Sequence, residues 1–277
     1  MNEAINKHTH TVKATHTAQG AAARHLARTQ LMRDAPTTGD PLRPQIKSIP
    51  FMGLLTNKLL TKLSGEEFAR LLPYLEPVSL AAHDYVYGLG NKVDFIYFPE
   101  TVVISQIHLL EDGNTTEVAL VGYEGVTGLS ALFGAPATNY WSQVIIAGSA
   151  LRVRAEFLTE EFSRGQSLQS LLLGYTGERI AQISQRAVCN GRHPLSGRLA
   201  SWLLMLHDRA RENQLKLTHE EIARHLGARR ASISVAATAL RNNGIIGYNR
   251  GNIRVLDRQA LMYNACECYR TLNRTAP

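Results

Sequence analysis

Between Leu217 and Ile246 lie side chains whose types and spacing suit contact with a charged groove. Arg229 and Arg230 stand together, followed by Ala231, Ser232, Ser234 and Val235. Arginine presents a planar fork of donors that fits a phosphate or the O6/N7 edge of guanine. On a helix, Arg230, Ala231, Ser234, Val235 and Thr238 share one face. That face is short-chained, carries no acid and is charged only at its N-terminal end. Such a face is slim enough for a DNA major groove, with the arginines at the end that enters it. Small residues also serve tight helix packing, so this stretch alone leaves an ordinary helical hairpin open.

The elements that must position these residues are legible around them. Thr218 and Glu221 have capping-box spacing, in which each side chain accepts a hydrogen bond from the other's backbone N–H. Ile222 and Leu226 share one face, and Gly227 suits the left-handed residue that ends a helix. A second helix is predicted from Arg230, with Ile233, Ala236, Ala237 and Leu240 as its apolar stripe and Asn243-Gly244 as its stop. Ile245–Tyr248 and Ile253–Leu256, around Asn249-Arg250-Gly251-Asn252, read as two strands and a turn, a wing. The candidate DNA-contacting set is therefore Arg229, Arg230, Ala231, Ser232, Ser234, Val235 and Thr218, with Ser196, Arg250 and Arg254 as flanking phosphate or minor-groove contacts.

Charge is partitioned to match. Of the net +7, residues 1–49 carry +4, residues 50–191 carry −5 and residues 192–277 carry +8. Thirteen of the fourteen basic residues in the last segment are arginine, so the positive charge sits where a phosphate backbone would need it. No apolar run reaches membrane-span length, and the N-terminus lacks the apolar centre of a signal peptide. The three cysteines are too few and too scattered for a disulfide framework, which fits a reducing compartment. A cytoplasmic protein that does not contact the membrane is expected.

In chain order, residues 1–49 read as a disordered basic tail. It contains His8, His10 and His16, taken as solvated rather than metal-binding, and Met52 opens the first organised segment. Asn57–Leu75 reads as a helix with Leu59, Leu60, Leu63, Phe68, Leu71 and Leu72 apolar, broken by Pro73 and Pro77. Val78–Phe157 shows about eight short strands punctuated by glycine turns, the pattern of a small sandwich or jelly roll. Leu158 to about Asn190 returns to helix. Its seam of Leu173, Thr176, Ile180, Ile183 and Ala187 is expected to pair with a second copy of the chain. Gly191–Pro194 reads as a hinge and Leu195–Arg211 as another helix. The expected domains are a tail at 1–49, a β-roll at 50–158, a dimerisation helix at 159–191 and a winged helix–turn–helix at 192–277, an α+β fold.

This order resembles that of the Crp/Fnr superfamily of bacterial transcription regulators. The resemblance covers roughly residues 55–260. It rests on Ser196-Gly197-Arg198-Leu199-Ala200, on Leu217-Thr218 with Glu221-Ile222-Ala223, on Leu226-Gly227, on Gly244-Ile245-Ile246, and on Gly125, Gly128 and Leu129 in the turn where nucleotide-binding members cradle a phosphate. It implies a β-roll of the cyclic-nucleotide-binding type and a homodimer that reads a two-fold symmetric site on double-stranded DNA. RNA polymerase and a small-molecule effector are the further partners implied. Family members that bind cyclic nucleotides hold the ribose with a glutamate and the phosphate with an arginine. Val126 and Trp141 stand at those positions, with Ser142 following. Neither supplies a cation or a set of donors, so cyclic nucleotide is not expected as a cofactor. Gly125, Val126, Gly128, Trp141 and Ser142 form the candidate effector pocket, filled by Trp141 itself or by a large apolar or planar effector. Iron–sulfur sensing is not expected either, because residues 1–188 contain no cysteine. Known members also present Arg, Glu and Arg to the bases. Here Arg230, Ala231 and Val235 stand in those places, which implies one guanine contact per half-site beside A·T pairs.

Other classes fare worse. An enzyme of the metal-cupin kind needs clustered His and Glu on its strands, and residues 84–157 hold only His108. No nucleophile elbow, phosphate-binding loop or zinc-protease motif is present, and no catalytic residue is assigned. A small-molecule-binding β-roll protein without a DNA-regulatory role is the alternative, and the intact capping box and the Arg229-Arg230 pair argue against it. Cys266 and Cys268 leave three readings: metal ligands together with His193 or another residue, a redox pair, or two side chains of one C-terminal helix. The last is taken, so no metal site is assigned.

Overall fold

The computed structural model describes residues 47–48, 55–135, 137–210 and 213–274. The expected tail, with its three histidines, lies outside the described residues except for Lys47–Ser48. These form strand β1, paired antiparallel with β2 at Glu76–Leu80.

Residues 57–75 are not one helix. A 3-10 turn at Leu60–Lys62, helix α1 at Gly65–Leu71 and a second 3-10 turn at Leu72–Tyr74 replace it. The cause is local. Leu63 is extended, and Ser64 caps α1 by accepting from the Glu67 N–H at 3.3 Å, so a new helix starts where periodicity alone would run through.

Strands β3 (Tyr85–Tyr87), β4 (Phe95–Pro99), β5 (Val103–Leu109), β6 (Thr115–Val121), β7 (Trp141–Ile146) and β8 (Gly148–Arg154) complete the roll. One antiparallel sheet has the order β1-β2-β8-β4 and the other β3-β7-β5-β6. Ile96, Phe98, Val102, Ile104, Val144 and Val153 fill the space between them. Gly113, at φ +84, turns β5 into β6, where Asp112-Gly113-Asn114 predicts a turn.

The helix expected from Leu158 to Asn190 is two. Helix α2 spans Ala155–Ser163 and α3 spans Ser167–Arg192. Gly165 between them has φ +72, a left-handed conformation that interrupts helical hydrogen bonding. Helix α3 buries Leu168, Leu172, Tyr175, Arg179 and Arg186 against its own β-roll. The seam residues point elsewhere: Leu173, Ile183 and Ala187 are exposed, as is Ile180 at 62 %.

Helix α4 (Leu195–Ala210) follows Pro194 and forms the core of the C-terminal domain through Leu199, Trp202, Leu203 and Leu206. Around it pack α5 (His219–Leu226), α6 (Arg230–Asn242), α7 (Arg258–Asn264) and α8 (Cys268–Arg274). A three-stranded sheet has the order β10-β11-β9, with β9 at Gln214–Lys216, β10 at Ile246–Asn249 and β11 at Asn252–Val255. Its third strand, β9, is too short to show in sequence periodicity. Val103, Leu120 and Ile145 of the β-roll join this second core, so the two domains share a packed boundary.

Candidate nucleic-acid interface

Helix α5 begins at the expected capping box. The Thr218 N–H donates to Glu221 Oε2 at 2.7 Å and the Glu221 N–H donates to Thr218 Oγ1 at 3.2 Å. Gly227 ends the helix at φ +57. The next helix starts at Arg230 and turns Ile233, Ala236, Ala237 and Leu240 inward. Arg229, Arg230, Ala231, Ser232 and Thr238 face out, and Val235 is 73 % exposed. An exposed valine among small residues leaves an open apolar strip beside the arginines, a surface suited to thymine methyl groups.

At the wing, Arg250 and Gly251 both have positive φ, +43 and +80, between the paired residues Asn249 and Asn252. A two-residue loop of that kind matches the twist of its strands. It leaves Arg250 at the tip and Arg254 on the outward side of β11, both exposed. Among the described residues, Arg229, Arg230, Arg250 and Arg254 enter no ion pair and no side-chain hydrogen bond. The arginines facing the β-roll contrast with them. Arg186 Nη2 lies 2.7 Å from Glu117, Arg209 Nε lies 2.7 Å from Glu124, and Arg179 donates to the Leu120 carbonyl at 2.8 Å.

Of the remaining expected contacts, Ser234 and Thr218 are engaged within the domain and Ser196 is open to solvent. Ser234 is half-buried. Its hydroxyl lies 2.9 Å from His219 Nδ1 and donates to the Arg230 carbonyl at 3.1 Å, so it braces α5 against α6. Thr218 spends its hydroxyl on the cap, 2.7 Å from Glu221 Oε2. Ser196 is exposed on the first turn of α4, beside Gly197, which lies against Cys266. His219 stacks on Tyr248 of the wing at 4.2 Å, a bracing pair that carries no sequence-periodic signal. Burial lowers the pKa of His219, and the charges of Arg230 and Arg241 lower it further.

The reverse side of α5 docks on the β-roll. His225 Nδ1 lies 3.3 Å from Glu117 and 3.1 Å from Ser105, Thr115 donates to the Arg224 carbonyl at 3.0 Å, and His83 approaches Glu221 at 3.5 Å. Glu117 is the hub. Its carboxylate accepts from Arg186, from Ser105 at 2.8 Å and from Trp202 Nε1 at 2.9 Å. Burial alone would raise the pKa of this carboxyl. The His225 hydrogen bond, the Arg186 charge and the Ser105 hydroxyl outweigh burial and hold it below the ordinary carboxylate range. The one sequence signal was an acid beside the apolar run Val118–Val121 of the same strand.

Among the candidate effector residues, Gly125, Gly128 and Trp141 each meet an aromatic neighbour. Tyr175 of α3 covers Gly125 so closely that a Cβ there would strike its hydroxyl. Gly128, at φ +97, lies under the Tyr87 hydroxyl. Trp141 instead packs edge-on to Tyr85 at 5.3 Å and beside Gly88. Val126 and Ser142 are fully buried. The residue closing the Gly125 turn is therefore Tyr175 and not Trp141, because an aromatic on the facing helix reaches the turn while the first residue of β7 points toward β3.

Comparisons with known proteins agree with this geometry. Residues 197–263 match the family model of the Crp-like helix-turn-helix domain. Transcriptional regulator SdrP of Thermus thermophilus is 29% identical over 194 residues, 67% of this chain and 92% of that protein. Transcriptional regulator LdrP of the same species is 26% identical over 65% of this chain and 92% of its own length. Among solved structures, FixK2 from Bradyrhizobium japonicum superposes with a TM-score of 0.60 at 22% identity, over 69% of this chain and 98% of that one. A regulator of the crp/fnr family from Eubacterium rectale gives 0.60 at 19% identity, over 78% and 98%. A β-roll joined by a long helix to a winged helix–turn–helix defines a DNA-binding transcription regulator. Residues 197–263 carry a Crp-like helix-turn-helix domain, and the chain is similar to Crp/Fnr-type transcription regulators.

Proposed function

We propose that the chain acts in the cytoplasm as a homodimer that reads a two-fold symmetric DNA site, with α6 in the major groove and the wing on the flanking backbone. The observation that carries this reading is the sorting of arginines. Those toward the β-roll are paired, while Arg229, Arg230, Arg250 and Arg254 stand exposed without a carboxylate partner among the described residues. Free guanidinium groups on one face are what a phosphate backbone and a guanine edge require.

Arg230 contacts guanine, Ala231 and Val235 contact neighbouring A·T pairs, and Arg229, Ser232 and the wing arginines hold phosphates. The exposed Leu173, Ile180, Ile183 and Ala187 strip of α3 supports the dimer, because apolar side chains at this spacing bury well only against a matching helix. Two copies place their recognition helices about one DNA turn apart. Tyr175 over Gly125 and the absence of a cation at Trp141 support a regulator that does not take cyclic nucleotide in the usual pocket. RNA polymerase and an effector of another class remain its proposed partners, and no catalytic role is assigned.

Selection from random-sequence DNA tests the reading. The expected consensus has one guanine in each half-site, and its binding weakens steeply with salt. Arg230→Ala should relax preference at that guanine by about 1–3 kcal/mol, whereas Arg229→Ala should weaken all sequences alike. Binding without salt dependence, or a consensus that needs both a G and a C contact in each half, overturns it.

A further inference from the structure

The three cysteines, far apart in sequence, converge at the junction between α3 and the C-terminal domain. Cys189 lies in the last turns of α3, and His193 follows four residues later as its C-terminal cap. Cys266 lies in the loop between α7 and α8, and Cys268 opens α8. The two are therefore not neighbours on one helix, as their spacing suggested. The sulfur atoms and a ring nitrogen of these four residues all lie within 4.8 Å of one another. Cys189 Sγ is 3.5 Å from Cys266 Sγ, and Cys268 Sγ is 3.3 Å from His193 Nδ1.

These separations are close to those of a metal-centred tetrahedron. Zn–S bonds of about 2.3 Å and Zn–N bonds of about 2.0–2.1 Å set edges of about 3.8 Å between sulfurs and about 3.6 Å between sulfur and nitrogen. A disulfide would join only two of the three thiols and would leave the third and His193 without a role. The surroundings also suit a metal. Gln185 Nε2 lies 3.0 Å from Cys268 Sγ and Ser201 Oγ lies 3.0 Å from Cys266 Sγ. The Cys266 backbone N–H donates to Ser201 Oγ at 3.1 Å, which pins the loop to α4. The outer nitrogen of His193 faces Glu267 at 3.7 Å, as in sites where a carboxylate orients a ligating ring. Arg198 lies in the field of Cys189 and Cys266, so its charge offsets that of thiolates. Cys189 and Cys268 are buried and His193 and Cys266 half-buried, and the four supply the full ligand set of a tetrahedral site.

We propose that Cys189, His193, Cys266 and Cys268 form a closed Cys3His zinc site. Thiolates with one imidazole and no open position favour Zn²⁺ over Mg²⁺ or Ca²⁺. On binding, the thiol protons pass to solvent and the four residues supply the whole coordination shell. The metal ties the end of α3 to the C-terminal segment of the DNA-binding domain across the extended residue His193 and Pro194. It thereby fixes the angle at which α4 to α6 leave the dimer helix. The site uses none of the DNA-facing arginines and does not depend on their assignment.

The test uses the full-length protein, purified reduced and stripped with chelator, then titrated with Zn²⁺ against a chromophoric competitor. One zinc per chain is expected. Co²⁺ in its place should give the intense visible bands of a tetrahedral thiolate complex, and zinc should slow the reaction of all three thiols with a thiol reagent. These measurements on the unaltered chain hold whether or not variants fold. His193→Ala and C268S should weaken zinc binding by more than about tenfold. Substoichiometric zinc, weak octahedral cobalt bands, or thiols that react equally fast with and without zinc overturn the proposal. So does a Cys189–Cys266 disulfide recovered from protein that binds no metal.

Discussion

Replacing Glu117 tests how the two domains are held together. Its carboxylate is 1 % exposed and its partner Arg186 8 %, so solvent screens neither. Glu117→Ala leaves a buried guanidinium uncompensated, at a cost of about 3–5 kcal/mol. It also strips the acceptor from Trp202 Nε1, worth about 1–3 kcal/mol for a buried donor. Both groups share one carboxylate and couple, so the costs do not add in full, and a total loss of about 3–5 kcal/mol is expected. Glu117→Gln keeps an acceptor oxygen and the shape but removes the charge, for a loss of about 1.5–3 kcal/mol. Urea unfolding followed by tryptophan fluorescence measures both, since Trp202 sits on the hub itself. Combining Glu117→Ala with Arg186→Met should restore part of the loss by removing the stranded charge. The pH dependence has a definite sign. A carboxyl depressed in the folded state contributes stability that is fully present above its ordinary value near 4.5 and lost as pH falls through the folded value. Wild-type protein should therefore lose this stability below about pH 4.5, and Glu117→Gln should lack that part of the slope. If Glu117→Ala costs less than about 1 kcal/mol, the domain boundary does not run through this carboxylate and the argument from burial fails.

Other substitutions probe separate links. Ile180→Glu places a charge on an exposed seam residue, so it should leave the folded chain intact yet shift sedimentation from dimer to monomer. Thr218→Ala removes the α5 cap and should cost about 1 kcal/mol in thermal unfolding, because Glu221 loses the oxygen that accepts its N–H. Gly227→Ala must adopt φ +57, and its Cβ would meet Thr116 Oγ1 at 2.6 Å. A loss of about 1–2 kcal/mol is expected for the left-handed conformation alone, and more if the β5–β6 hairpin cannot give way.

Elements governed by local rules were legible in the chain. The capping box at Thr218, the left-handed Gly227, the apolar stripe of α6 and the Arg250-Gly251 turn each depend on residues a few positions apart, and each is where sequence reasoning placed it. Breaks were less legible. Leu63-Ser64 and Gly165 interrupt helices whose apolar spacing continues across them, since periodicity registers which face is buried and not whether the hydrogen-bond ladder is continuous.

What the sequence by itself determined was the order of elements, the basic C-terminal third and the arginine-bearing helix face. All three follow from short-range pattern and composition. Only the tertiary structure decided which polar residues work outward and which inward. It turned Ser234 and Thr218 into braces, put Tyr175 rather than Trp141 over Gly125, and made Glu117 the meeting point of two domains. It also brought Cys189 and His193 to Cys266 and Cys268 across more than seventy residues of chain. The reason is physical. Burial, charge pairing and ligand geometry depend on distances between segments that pack together, and spacing along the chain carries no record of those distances.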